Sequence, residues 1–211
     1  WLRSHVRREE QFSASELELM SQLGVLLMPD HPIEELFRRF EGSGRFWSGL
    51  EPDLVAYGVL KEPEAALFME YDGYWRHANR YGYKKDKEKN AALFSVGPPG
   101  SWVIRIGHFH RKPMGRNSLY VKVNNWQGDE YQSLTQTLGE VVRRMLSDLR
   151  TELDPALRLR LLRHQASNSL SAKAAEFAAT ASRDCRIRAG LDRTAETAEG
   201  DAKPPRSYSN I

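Results

Sequence analysis

Residues 52–73 read PDLVAYGVLKEPEAALFMEYDG, and this stretch decides the fold. Two runs of strand-forming residues, Pro52 to Val59 and Ala65 to Asp72, flank Leu60-Lys61-Glu62-Pro63-Glu64, a polar, proline-bearing turn signal. So short a connection predicts an antiparallel hairpin. Centred near Glu62, the hairpin sets Asp53 opposite Tyr71. Glu70 and Asp72 are two residues apart and share a face. Three carboxylates are thereby expected at one end of one sheet. Like charges a few ångströms apart repel and are costly to bury. A divalent cation relieves both costs, and carboxylate oxygens favour Mg2+ or Mn2+ over zinc. A plainer reading stays open at this point: Asp72-Gly73 opens a turn, Asp53 follows a proline in a loop, and Glu70 reaches solvent.

Working outward, residues 1–12 are charged and aperiodic, a lead-in. Ser13 and Ser15 are N-cap candidates for a helix running through Leu27, which Pro29 stops. Pro32 opens a second helix with Ile33, Leu36, Phe37 and Phe40 at helical spacing, ended by Gly42-Ser43-Gly44, and Phe46-Trp47 is a short strand candidate. Downstream, Gly73 to Gly82 is an aromatic, polar loop. A basic helix follows over Lys84 to Val96, broken by Gly97-Pro98-Pro99-Gly100. On that helix Asp86, Lys89, Asn90 and Leu93 share one face. Trp102 to Ile106 is expected to return parallel to the Ala65–Asp72 strand by a right-handed crossover. Ser118 to Asn124 is a further strand and Leu134 to Arg150 an amphipathic helix. One or two helices with little core of their own are expected over 151–188, and a disordered tail over 189–211.

Composition limits the function classes. Of 211 residues, 40% are hydrophobic and 28% charged, so one full domain plus an appendage is expected. All aromatics except Phe177 and Tyr208 lie before residue 151, which places the core in a domain over 13–150 and excludes an even two-domain split. The 31 Lys and Arg against 28 Asp and Glu give +3, a balance that permits binding to a phosphate backbone without demanding it. The lone Cys185 excludes an internal disulfide and a cysteine-based structural zinc site, and fits an intracellular protein. The apolar run Ala65 to Met69 is far too short to span a bilayer, so no membrane partner is expected. Opening on Trp1, the chain reads as a fragment or a processed product.

The order of these features resembles a known family. Pro52-Asp53 is followed by a strand ending Glu70-Tyr71-Asp72-Gly73, then His77, then Asp86 and Lys89 on a helix, then Val103-Ile104-Arg105-Ile106 on a strand. This looks like the very short patch repair endonucleases and related restriction-endonuclease-like proteins of the PD-(D/E)XK nuclease superfamily, over residues 31–107. The resemblance implies an α/β restriction-endonuclease-like core, a central mixed sheet flanked by helices, with a helical and partly disordered C-terminal extension. It also implies metal-dependent hydrolysis of nucleic-acid phosphodiester bonds, DNA or RNA.

Carried onto this chain, the resemblance makes Asp53 a ligand of Mg2+ or Mn2+, with Glu70 or the Tyr71 backbone helping. Asp72 would hold a second metal or orient His77. His77 would act as general base toward a water or stabilise the leaving group. Lys89, and Lys85 beside it, would meet the charge on the scissile phosphate, and Glu34 matches an upstream acid. There are departures. Asp72 stands where the superfamily has Lys, although the very short patch repair enzymes lack that Lys too and use a His after Asp-Gly, which His77 matches. The structural zinc common in that group cannot form with one Cys, and the loop from His77 to Lys84 is compressed.

For nucleic acid, Lys84, Lys85 and Lys87 are the expected phosphate contacts, with Trp75 and Arg105. The aromatics Tyr71, Tyr74, Trp75, Tyr81 and Tyr83 either stack on bases or cover the end of the sheet. His108 and His110, two apart, are read as strand-end histidines before metal ligands. Two other function classes remain: a non-catalytic nucleic-acid-binding module of the same fold, similar to RAP domains, and a protein-interaction domain with a structural acidic cluster.

Overall fold

The structure is a computed structural model and describes residues 14–33, 52–73, 79–123 and 130–188. The hairpin forms from β1 (Leu54–Tyr57) and β2 (Ala66–Asp72), paired antiparallel with Leu54 opposite Met69. The register is one residue tighter than a turn centred on Glu62 would give. Gly58, at φ 66°, turns the chain out of β1 early and donates its N–H to the Pro63 carbonyl at 3.1 Å. Leu60 leaves the hairpin and bridges to Leu153 instead. β1 therefore stops at Tyr57. Asp53, whose N–H donates to the Met69 carbonyl at 3.1 Å, falls across from Glu70 rather than Tyr71.

β2 pairs parallel with β3 (Trp102–Gly107), as its sequence predicted, and β3 pairs parallel with β4 (Ser118–Lys122). The mixed sheet has the order β1-β2-β3-β4. α2 (Arg80–Val96) links β2 to β3 and begins before the expected Lys84. The reason is a cap: the Asn79 side-chain oxygen accepts the N–H of Gly82 at 2.8 Å.

Alternation along β2 sorts the two faces. Leu67 and Met69, with Leu54, Ile104, Ile106 and Val121, face α1 (Ala14–Leu27), α3 (Glu130–Asp148) and α4 (Pro155–Ser167). Ala66 and Phe68, with Val55 and Val103, pack against Leu93 of α2. Each fully buried side chain such as Phe68 contributes roughly 1.5–3 kcal/mol of transfer free energy, so α2 is held mainly by this apolar strip.

The C-terminal helices carry more core than their composition suggested. Leu157 and Leu161 of α4 are fully buried in the main core, and Ala174 and Ala178 of α5 (Ala172–Arg188) are buried beside α1. Alanine lets two helices approach closely without aromatic content, which is why counting aromatics understated this region. A paired link ties α1 to the start of α5: Gln22 donates to the Ser171 carbonyl at 3.0 Å and accepts the Ser171 N–H at 2.8 Å. The expected helix beyond Ile33, the Phe46-Trp47 strand and the tail lie outside the described residues.

Candidate functional site

On the α2 side, the apolar face gives way to charge where β2 and β3 end. Beyond Phe68 and Val103 the same face presents Glu70, Asp72 and Arg105, with Arg105 the register neighbour of Glu70. β2 and β3 are parallel and β1 runs against β2, so two strand carboxyl ends meet the amino end of β1. Ligands of open α/β sheets gather at such ends. Asp53 is pinned there because its Oδ2 accepts the N–H of Tyr71 at 2.7 Å. The tighter register puts Asp53 on the same face as Glu70 and Asp72; a one-residue slip would have put it on the other.

The cluster has two halves. In one, Arg105 grips Asp72 with both prongs, Nε to Oδ2 at 3.0 Å and Nη2 to Oδ1 at 2.7 Å. Its Nη1 donates to the Asn90 side-chain oxygen at 2.9 Å, and Nη2 lies 3.0 Å from Asp86 Oδ1. Arg111 closes this half from outside, 2.6 Å from Asp86 Oδ2 and 3.6 Å from Asp72 Oδ2, its guanidinium over the Tyr83 ring. In the other half, Lys89 donates to Glu70 Oε2 at 2.7 Å, while Glu70 Oε1 is buried with no hydrogen-bond partner.

Burial shifts the carboxylates of this second half. Burial pushes the Glu70 pKa up to about 7; Lys89 opposes the shift and Asp53 adds to it. Burial also raises Asp53, against Lys89, the Tyr71 N–H and Arg105. Glu16, in the first turn of α1, is held well above the ordinary carboxylate range, by burial first and then by Asp53 and Glu70. Burial works against the charge on Lys89, yet Glu70 and Asp53 outweigh it and raise its pKa. Carboxylates raised by burial and by one another recur at functional sites and in structural ion-pair networks alike.

Against protein-family models, curated proteins and solved structures, the chain shows no match.

The structure brings Asp53, Glu70, Asp72 and Lys89 together, and separates other expectations. Arg105, expected at a nucleic-acid surface, is 2% exposed and committed to carboxylates, because its register places it beneath α2. Asp72 has both oxygens on Arg105, and among the described residues no group of three or more His, Cys, Asp or Glu side chains is arranged to hold a metal ion. Lys84, Lys85 and Lys87 are exposed on α2, as a phosphate-contacting face requires. Tyr81 and Tyr83 belong to that helix rather than a loop, and Tyr71 bonds His108 through its hydroxyl at 2.9 Å. His110 pairs instead with Lys122 at 2.7 Å, so the two histidines do not act together. His77, Trp75 and Glu34 lie outside the described residues.

Sequence reasoning missed Glu16 and Arg111. An acid in a helix's first turn is an ordinary complement to the helix dipole, so nothing in the linear pattern singles out Glu16. Arg111 lies past the end of β3, and nothing in its spacing points to Asp72 or Asp86.

Proposed function

We propose that this chain is a metal-dependent nuclease of restriction-endonuclease-like type, working at the Asp53–Glu70–Lys89 end of the sheet. The observation that carries the reading is the buried, unpartnered Glu70 Oε1, directly across the hairpin from Asp53. Burial first, and then Asp53, push the Glu70 pKa up to about 7, and a cation beside it would oppose that shift. Mg2+ is commonly held by one or two carboxylates, with waters and a substrate phosphate completing its shell. The lack of a three-residue cage among the described residues is therefore compatible with Mg2+ or Mn2+ on Asp53 and Glu70. When bound, such an ion supplies Lewis-acid polarisation of a phosphoryl oxygen and a more acidic water.

The chain's own groups do the rest. The Lys89 side chain, 23% exposed, pairs with Glu70 and would meet the charge that builds on a phosphate. Lys84, Lys85 and Lys87 on the outer side of the same helix hold the flanking backbone. In the same reading His77, which follows β2, serves as the base.

The test is incubation of the full chain with plasmid, single-stranded DNA and RNA in Mg2+ or Mn2+. Cleavage that disappears in Asp53→Asn and Glu70→Gln is the expected result. No cleavage by the wild type, or cleavage unchanged in Asp53→Asn, overturns the proposal. The bidentate hold of Arg105 on Asp72 favours a second reading, a nucleic-acid-binding module without catalysis, similar to RAP domains. Salt-sensitive binding with no cleavage in any metal selects that reading.

A further inference from the structure

Arg105 Nη2 stands at the focus of three carboxylates: 2.7 Å from Asp72 Oδ1, 3.0 Å from Asp86 Oδ1 and 3.6 Å from Glu70 Oε2. Strand β2 supplies two of these groups and α2 the third, an arrangement that elsewhere would surround a cation. We infer that the Arg105 guanidinium is a built-in cation in the place of a second divalent ion, so this centre takes one metal ion and not two. The inference rests on the metal-dependent reading and says which residues that reading leaves to the metal.

Two observations support it. The first is fit. Separations of 2.7–3.0 Å suit N–H donors to carboxylate oxygens, whereas Mg2+ requires oxygens at about 2.0–2.1 Å. The remaining Arg105 donors are also placed, Nε on Asp72 and Nη1 on Asn90, so the guanidinium matches its pocket as a planar fork.

The second is where the unpartnered oxygen lies. Asp72 and Asp86 are bracketed by Arg105 and Arg111. The orphan oxygen belongs to Glu70, a residue 4% exposed, on the side of Asp53 and Glu16. Arg105 therefore acts as a positioning residue: it fixes Asp72 and Asp86, holds the α2 face that carries Lys89 against the sheet, and leaves Asp53 and Glu70 for the ion.

The experiment measures Mn2+ bound per chain, by calorimetric titration and by the loss of free-ion paramagnetic resonance signal. Wild type is expected to bind one ion. Asp72→Asn is expected to bind one ion with affinity within about threefold of wild type, because Asp72 is not a ligand. Arg105→Met vacates the focus and is expected to bind two ions, with its lowered unfolding temperature recovered by Mn2+. Two ions in the wild type overturn the inference while leaving the nuclease reading standing. A drop of tenfold or more in affinity in folded Asp72→Asn does the same. No Mn2+ bound by the wild type overturns the metal-dependent reading itself and this inference with it. If Arg105→Met fails to fold, the wild-type stoichiometry and Asp72→Asn decide the matter alone.

Discussion

Arg105 and Asp72 meet as a two-pronged pair inside the protein, with Nε and Nη2 on separate carboxylate oxygens and the two side chains 2% and 1% exposed. Removing one member breaks the closest ion pair of the cluster and leaves its partner's hydrogen bonds unmade, and breaking a buried pair costs about 3–5 kcal/mol. Removing both is less costly than the sum, since neither leaves the other orphaned. Asp72→Ala and Arg105→Ala are each expected to lower unfolding free energy by that order, and the double variant by clearly less than the two losses combined. Chemical denaturation of the four chains checks this. Additive losses would mean that the pair is not a coupled unit.

The Glu70 carboxyl gives the metal-free protein a pH dependence with a definite sign. Its folded-state pKa, about 7, lies above the ordinary 4.5 because of burial. Below the ordinary value both folded and unfolded chains are protonated, and the contribution to stability is fully present. As pH rises through 4.5 toward 7, the unfolded chain releases its proton first, so stability falls, by up to about 3 kcal/mol. Asp53 and Glu16, also raised, act in the same direction. With a chelator present, wild type is expected to lose stability between pH 5 and pH 8, and Glu70→Gln to lose markedly less. Equal losses would show that Glu70 ionises normally in the folded chain.

Gly107 is where the sheet makes room for this chemistry. It is the register neighbour of Asp72 on β3, and a Cβ there would collide with the Tyr120 hydroxyl and stand 3.0 Å from the Asp72 Cβ. Gly107→Ala must therefore push either Tyr120 or Asp72 aside, at a cost of about 1–3 kcal/mol for an overpacked site. A lowered unfolding temperature is expected, together with a shift in nuclear magnetic resonance signals from the Arg105 side chain. A neutral substitution would show that β3 and β4 can separate without strain.

Much of this arrangement was legible in the sequence, and the failures have physical causes. The strand-forming runs on either side of Lys61–Glu64 gave the hairpin, and the break at Gly97 to Gly100 gave the parallel return of β3. The register was one residue off, because Gly58 takes a left-handed conformation that no apolar count reveals. That single step decides whether Asp53 shares a face with Glu70. Spacing put Asp86, Lys89 and Asn90 on one helix face, yet it could not tell that Asp86 and Asn90 would bind Arg105 while Lys89 bound Glu70. Glu16 joins the site from a helix about 40 residues upstream, a meeting made by tertiary packing alone.

The exposed lysines of α2 yield a prediction that separates phosphate contact from catalysis. Lys84 and Lys85 are not buried in the carboxylate cluster: Lys84 lies 3.9 Å from Glu88, and Lys85 lies over the Tyr81 ring at 5.2 Å. Lys87 is likewise exposed. Each lysine that neutralises a phosphate adds about 0.9 to the slope of log affinity against log salt on duplex DNA, or about 0.7 on single strands. Lys84→Ala, Lys85→Ala and Lys87→Ala together are expected to weaken binding to duplex DNA and to lower that slope by about 2–3. Stability should scarcely change, because none of the three is buried. Lys89→Met differs, for it removes the cation from buried Glu70: the salt slope is expected to fall by no more than about 1, while cleavage falls at least 100-fold and stability drops. The measurement is binding by fluorescence anisotropy across a salt series, beside a cleavage assay. An unchanged slope in the triple variant would remove α2 from the nucleic-acid surface, whereas an unchanged cleavage rate in Lys89→Met would take Lys89 out of the reaction and leave it a counter-ion for Glu70.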